Sequence, residues 1–63
     1  MELKDIEKQV LNMVIAGNTN MSIGEEIGYS EKTVARIVKR LFNYYNVSNR
    51  LELVREVIKK QVA

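Results

Sequence analysis

Residues 31–45 repeat apolar side chains at the spacing of one helix face. The apolar positions follow an i, i+3, i+4, i+7, i+8, i+11 pattern: Val34, Ile37, Val38, Leu41, Phe42 and Tyr45. At about 100° per residue they form a single apolar side, so the segment is predicted to be an amphipathic helix resting on a core. The opposite side is basic and polar, with Ala35 and Arg40 at its flanks: Lys32, Arg36, Lys39 and Asn43.

Three other segments have helical spacing and lie between residues suited to cap them. In chain order the four predicted helices run from Asp5 to Ala16, from a Thr19 cap to Ile27, from Glu31 to an Asn46 end, and from a Ser48 cap to about Gln61. Gly17 is predicted to be the left-handed residue after the first helix, and Ser30 to cap the third. Tyr29, in the turn before Ser30, is expected to pack between the second and third helices.

The predicted core is drawn from the apolar side of each helix. Outside the third helix its members are Leu3, Ile6, Val10, Leu11, Met13, Val14 and Ile15 in the first, Ile23 and Ile27 in the second, and Leu51, Val54, Ile58 and Val62 in the fourth. No segment alternates apolar and polar residues as a strand does, and no repeat or linker interrupts the chain. The sequence therefore predicts an all-α fold of four helices, in one domain spanning residues 1–63.

Small size and missing residue types exclude most enzyme chemistry. A 63-residue chain without His or Cys lacks imidazole bases, thiol nucleophiles and the usual zinc ligands. It is also too small to enclose a substrate cavity beside its core. The apolar stretch 10–16 is too short to cross a bilayer, and the lack of Cys suits a reducing compartment. We expect a cytoplasmic protein without enzymatic activity, cofactor, metal or membrane partner.

The net charge of +2 conceals an uneven distribution. Residues 1–16 carry −1 and residues 17–30 carry −2, whereas residues 31–45 carry +3 and residues 46–63 carry +2. A short helix, a three-residue turn with a glycine and a longer basic helix follow the order of a helix-turn-helix. Exposed Arg and Lys could donate to guanine O6 and N7 in a major groove that admits a helix, and the small Ala35 would allow close approach. A solvated surface helix is the alternative explanation of the same charges.

Four clusters of residues lie in the register of a known domain. They are Lys8-Gln9-Val10-Leu11, Ala16-Gly17-Asn18-Thr19-Asn20, Ser30-Glu31-Lys32-Thr33-Val34 and Val47-Ser48-Asn49-Arg50. Together they resemble the LuxR/GerE-type DNA-binding domain over about residues 3–58. The resemblance implies that helices two and three form the helix-turn-helix, that helix three enters the major groove and that helix four makes a dimer contact.

The resemblance also implies roles for individual positions. Base contacts would come from Ala35, Arg36 and Lys39, and phosphate contacts from Asn20, Lys32, Thr33 and Arg40. Leu53 and Val57 lie on helix four roughly opposite its predicted core residues, so we expect them to be exposed and to form a two-fold dimer seam. Arg50 is expected to begin helix four and pair with an acid, with a phosphate contact as the alternative.

Several departures from the family pattern bear on these roles. Lys4 follows Leu3 where the family has Leu-Thr, so the first helix needs a different cap. Ala35 and Ile37 replace a frequent Lys and His, so base preference does not carry over from relatives. Tyr44 and Tyr45 stand where Lys-Leu is usual, which removes one cation within reach of phosphate.

The expected function is sequence-specific regulation of transcription by a homodimer that binds double-stranded DNA in the nucleoid. The alternative is a protein-interaction module, an antagonist that pairs with a related regulator through helix four. Met1 precedes the family pattern by two residues, which favours a free-standing regulator over an effector domain cut from a longer protein. A sensory domain, fused or separate, is compatible with either.

Overall fold

The computed structural model describes the backbone of residues 2–62 and the side chains of residues 2–61. Its helices are α1 (Asp5–Ile15), α2 (Asn20–Ile27), α3 (Glu31–Tyr45) and α4 (Arg50–Val62). This part of the chain contains no strand, so the predicted all-α class is confirmed. The side chain of Val62, predicted to join the core, lies outside the described residues. None of the described helices has both the length and the apolar character needed to cross a bilayer.

The N-terminus of α1 is capped by a glutamate from inside the helix. The backbone N–H of Lys4 donates to Oε1 of Glu7 at 2.7 Å, which is one half of a capping box. The other half is missing, because a lysine ammonium has no lone pair with which to accept a bond. Glu7 is buried and lies on the same side of α1 as Val10 and Val14. The carboxylate thus satisfies the N–H of Lys4, but the N–H of Glu7, which a threonine at position 4 would have bonded, has no side-chain acceptor.

The end of α1 confirms the predicted role of Gly17. Gly17 has a φ of +94°, and its N–H donates to the carbonyl of Val14, while the N–H of Asn18 donates to that of Met13. These two bonds form a Schellman motif, which satisfies carbonyls at the helix end. The helix ends at Ile15, one residue before the predicted boundary.

The turn between α2 and α3 lies directly against α2. Thr19 caps α2 by accepting from the N–H of Ser22, and Gly28 follows the helix with a φ of +77°. A Cβ on Gly24 would clash with the carbonyl oxygen of Tyr29, so only glycine allows the turn to approach this closely. The side chain of Tyr29 is 44% exposed, and the prediction that it packs between the two helices is wrong.

The third helix has its predicted limits. Ser30 caps it by accepting from the N–H of Thr33, and Asn46 ends it in the left-handed conformation with a φ of +56°. The predicted Ser48 cap of α4 is wrong by one residue, because the N–H of Glu52 donates to Oδ1 of Asn49. The N–H of Ser48 instead donates to Oε1 of Glu52. Ser48 is therefore a donor to the first turn of α4 and not its cap.

The core is organised around α3, which packs against each of the other three helices. All four helices contribute side chains with no exposed surface: Val10, Ile23, Val34, Leu41 and Leu53. Phe42 and Tyr45 are partly buried against this cluster, as predicted. The apolar side of α3 is therefore inside, and its basic side faces solvent.

The fourth helix is rotated relative to its prediction. Leu53 and Val57, expected on the surface, are 0% and 4% exposed and belong to the core, where α4 packs against α1 and α3. Leu51 and Ile58, expected in the core, are 62% and 46% exposed. Arg50 lies at i, i+3 and i+7 with Leu53 and Val57 and, on the same side of α4, points toward the α1–α2 junction. Leu53 and Val57 therefore do not form an exposed dimer seam.

Candidate nucleic-acid interface

The solvent-facing side of α3 presents a row of cations. Lys32, Arg36, Lys39 and Arg40 are all exposed, and so is Ala35 beside them. The nine residues from Lys32 to Arg40 extend over about 12 Å of helix axis. The major groove of B-DNA is also about 12 Å wide. A helix about 10–12 Å in diameter fits a groove of this width, and the basic donors lie along one side of α3.

The three residues expected to contact bases lie together on this side. Arg36 and Lys39 are one turn apart, and Ala35 flanks them on the side of α4. No side chain larger than alanine stands between the helix backbone and solvent at position 35, so the helix axis can approach a groove floor there. Arg36 can donate two parallel bonds to guanine, whereas Lys39 offers a point charge.

The starts of α2 and α3 lie side by side. One shallow concave surface is lined by residues of both regions: Gly17, Asn18, Thr19, Asn20, Glu31 and Arg50. The first amides of each helix have no intrahelical carbonyl to bond to. The cap side chain accepts from the third residue, so the first two N–H groups are left available. Two positive helix ends therefore face the same region, which suits an anionic backbone.

The polar residues expected to contact phosphate are partly engaged within the protein. The hydroxyl of Thr33 accepts from Oγ of Ser30 at 2.9 Å and keeps its own proton free to donate. Oδ1 of Asn20 accepts from Arg50 at 2.8 Å. Lys32 and Arg40 are exposed cations at opposite ends of the basic row. The four residues therefore surround the base-facing set without being drawn into a single cluster.

Arg50 is a residue of this region whose partners the sequence did not indicate. Its Nη1 donates to Oδ1 of Asn20, and its Nη2 donates to the carbonyl oxygen of Asn18 at 2.7 Å. The expected acidic partner is therefore replaced by an amide and a backbone carbonyl. The acceptors are 30 and 32 residues away in sequence, so neither helical periodicity nor local spacing could have pointed to them.

Two tyrosines lie at the C-terminal end of α3. The rings of Tyr44 and Tyr45 meet edge to face, with centroids 5.0 Å apart. Nζ of Lys60 lies 5.4 Å from the centroid of the Tyr45 ring, which joins α4 to α3 through a cation–π contact. Burial raises the pKa of Tyr45 above its ordinary value of 10.0, and the neighbouring Tyr44 adds to the shift.

The outward side of α4 carries an apolar strip. Leu51 and Ile58 are exposed, and Val54, between them at helical spacing, is half-buried. We call these three residues the α4 strip. Charged side chains border it, with Arg55 exposed directly beside Leu51 and Ile58 on the helix surface. The strip has the i, i+3, i+7 spacing of a helix-to-helix contact; Val54 packs partly against the core, while Leu51 and Ile58 stay exposed in the described chain.

Comparison with known proteins supplies a family. The family model described as bacterial regulatory proteins, luxR family, matches residues 1–57. No curated protein and no solved structure gives a significant match.

Proposed function

This chain belongs to the luxR family of bacterial regulatory proteins, which are DNA-binding regulators of transcription and not enzymes, and on that premise we propose how it binds. Residues 1–63 act as one DNA-binding domain. Helix α3 enters the major groove of double-stranded DNA and reads its sequence. Two copies bind together, each through its own α3, and contact each other through α4.

The observation that carries this proposal is the exposed basic side of α3, bordered by the open N-terminal ends of two helices. Arg36 and Lys39 extend toward base edges, while Ala35 allows the helix backbone to approach the groove floor and offers a methyl group to thymine. Lys32 and Arg40 neutralise phosphates on either side of the groove, and Asn20 and Thr33 donate hydrogen bonds to the backbone. The start of α2 lies beside Glu31, the first residue of α3, which a solvated helix standing alone would not provide.

The proposed dimer uses residues different from those that the sequence suggested. Leu53 and Val57 are buried within one chain, so the contact surface on α4 must be its outward side. The α4 strip is apolar, exposed and helical in spacing, and packing two copies about a two-fold axis would remove Leu51 and Ile58 from water. A dimer of this kind sets two α3 helices at a fixed separation, which suits a palindromic site.

The first experiment separates base reading from phosphate contact. Selection from a random duplex pool gives the preferred half-site and its spacing, and affinities are then measured on that site and on random DNA. We expect Arg36→Ala or Lys39→Ala to cost about 1–3 kcal/mol on the selected site and to relax sequence preference. Lys32→Ala should weaken both duplexes alike and reduce the salt slope by about one. Lys8→Ala, an exposed cation on α1, is the matched control.

The second experiment tests the dimer. Ile58→Glu should leave half-site affinity and helical content unchanged but abolish cooperative binding to the palindrome. Gln9→Glu places the same acidic residue at an exposed position of α1 and should retain cooperativity. Cooperative binding that survives Leu51→Glu and Ile58→Glu together would rule out this side of α4.

The same measurements separate the regulator from an antagonist. A chain that acts only by pairing with a related regulator would need the α4 strip and would function without Arg36 and Lys39. The basic side of α3 favours direct DNA binding. Full activity of an Arg36→Ala/Lys39→Ala double variant would favour the antagonist.

A further inference from the structure

A side chain connects helices α2 and α4, whose backbones do not approach each other closely. In the described part of the chain, no Cα of α2 lies within 8 Å of a Cα of α4. Arg50, the first residue of α4, nevertheless reaches Asn20, the first residue of α2, and the carbonyl of Asn18 just before it. The guanidinium therefore reaches the start of α2 from a helix whose backbone does not approach that of α2.

The bond from Arg50 decides which end of the Asn20 amide faces out. A side-chain amide has an accepting oxygen and a donating NH₂ group. Because Nη1 of Arg50 donates to Oδ1, the oxygen is turned toward the protein and Nδ2 is left free. A phosphate oxygen can only accept hydrogen bonds, so an asparagine that binds phosphate must present its NH₂ group.

We propose that Arg50 is a positioning residue for DNA binding: it fixes the amide of Asn20 so that Nδ2 donates to a backbone phosphate. The inference rests on the proposed function and adds to it a residue that acts through another. Arginine suits this position because its planar fork reaches two acceptors at once, one of them a backbone carbonyl that cannot turn away. Lysine would lack that fixed geometry.

The first test uses Asn20 itself. Asn20→Asp keeps an oxygen for Arg50 and adds a charge that favours the start of a helix, so the melting temperature should equal or exceed that of the wild type. It removes the outward donor, and we expect affinity for the selected site and for random duplex to fall alike, by about tenfold or more. An Asn20→Asp protein that is folded and binds as tightly as the wild type would overturn the proposal.

The second test is a double-mutant cycle on DNA affinity. Arg50→Met should weaken binding about two- to tenfold, the cost of ordering a side chain that is no longer held. In an Asn20→Ala background the same change should cause less than about a twofold further loss. Arg50→Lys keeps the charge, and it should lose most of the affinity that Arg50→Met loses.

Two other roles for Arg50 predict different results. Direct contact with phosphate would make Arg50→Met equally harmful in both backgrounds and would reduce the salt slope by about one. A role in folding alone would lower the melting temperature, and the binding defect would vanish at temperatures where every variant is folded. Either result overturns the positioning role.

The side-chain amide signals of Asn20 in an ¹⁵N-correlated NMR spectrum give a readout without DNA. They should shift in Arg50→Met, and unchanged signals would contradict the positioning role. If the wild type binds no DNA, the proposed function fails regardless of these signals. If it binds and the double-mutant cycle is additive, only the role of Arg50 fails.

Discussion

Gly24 lies in the middle of α2, a position at which alanine is ordinarily the better residue. Here the carbonyl oxygen of Tyr29 occupies the space that a Cβ would need, and the N–H of Tyr29 donates to the carbonyl of Gly24 at 2.9 Å. The α2–α3 turn is therefore held against the helix by backbone alone. The relative position of the two helices of the helix-turn-helix depends on this contact.

Gly24→Ala is expected to destabilise the protein by about 1–3 kcal/mol through overpacking. The sign is informative, since helix propensity alone would favour alanine by about 1 kcal/mol. Thermal and urea unfolding measure the effect, with the exposed Met21→Ala of the same helix as a control that should change stability by less than about 0.5 kcal/mol. A more stable Gly24→Ala protein would contradict the close approach of the turn.

At the residue scale, the sequence predicted features that follow from helical spacing and helix ends. It missed contacts between side chains or backbone of different elements. The exposed positions of Arg36 and Lys39 followed from helical spacing, and the left-handed conformation of Gly17 and the helix end at Asn46 followed from the residue types there. Gly24 and Arg50 were different. Their roles come from a neighbouring backbone turn and from acceptors about thirty residues away, and no local pattern records either.

At the scale of helices, α4 illustrates why apolar spacing alone does not fix orientation. Leu51, Val54 and Ile58 form a longer apolar row than Leu53 and Val57, and the longer row was assigned to the core. The structure buries the shorter one. Both rows have helical spacing, and the choice between them depends on Arg50 and on the surface that α1 and α3 offer, which a pattern within one helix does not contain.

Truncation of a side chain in the buried row should lower stability, whereas truncation in the exposed row should leave it nearly unchanged. Leu53→Ala removes a fully buried side chain and should cost about 2–5 kcal/mol in the free energy of unfolding. Leu51→Ala should leave the stability of the monomer within about 0.5 kcal/mol of the wild type. Urea unfolding at low protein concentration measures both. Equal destabilisation by the two changes would place α4 in another rotation.

The burial of Tyr45 should make stability depend on pH in the alkaline range. Because the pKa of Tyr45 is raised in the folded state, the folded protein retains the phenol proton longer than the unfolded chain does. This contribution to stability is complete below pH 10 and is lost as the pH rises through the folded-state pKa.

Urea unfolding between pH 8 and pH 11 should therefore show a smaller alkaline loss of stability in Tyr45→Phe than in the wild type. Lysines titrate in both proteins, so only the difference between them reports on Tyr45. Tyr29→Phe changes an exposed ring and is the control. Identical pH profiles for Tyr45→Phe and the wild type would show that the tyrosine does not contribute.

At the scale of the whole molecule, charge is divided along the chain. Residues 1–30 carry −3 and residues 31–63 carry +5, although the total is only +2. Such a molecule is attracted to DNA mainly through one side, and its orientation is selected before close contact. A total charge near zero therefore does not argue against nucleic-acid binding.

Salt dependence should count the phosphate contacts. With Lys32 and Arg40 as the cations on phosphate, the slope of log K against log salt should be about −1.8 for one subunit on a half-site. For a dimer on a palindrome it should be about −3.6. Fluorescence anisotropy across a salt series measures both values. A palindrome slope equal to the half-site slope would contradict the binding of two subunits.

The two sides of α3 differ in how freely their residues can be substituted. Its buried side holds α1, α2 and α4 together, while Ala35, Arg36 and Lys39 on the other side support none of them. If these three positions read bases as we propose, substitutions there can move the protein from one operator to another without passing through unfolded variants. A lineage of such regulators could diversify its targets while a single fold is passed on unchanged.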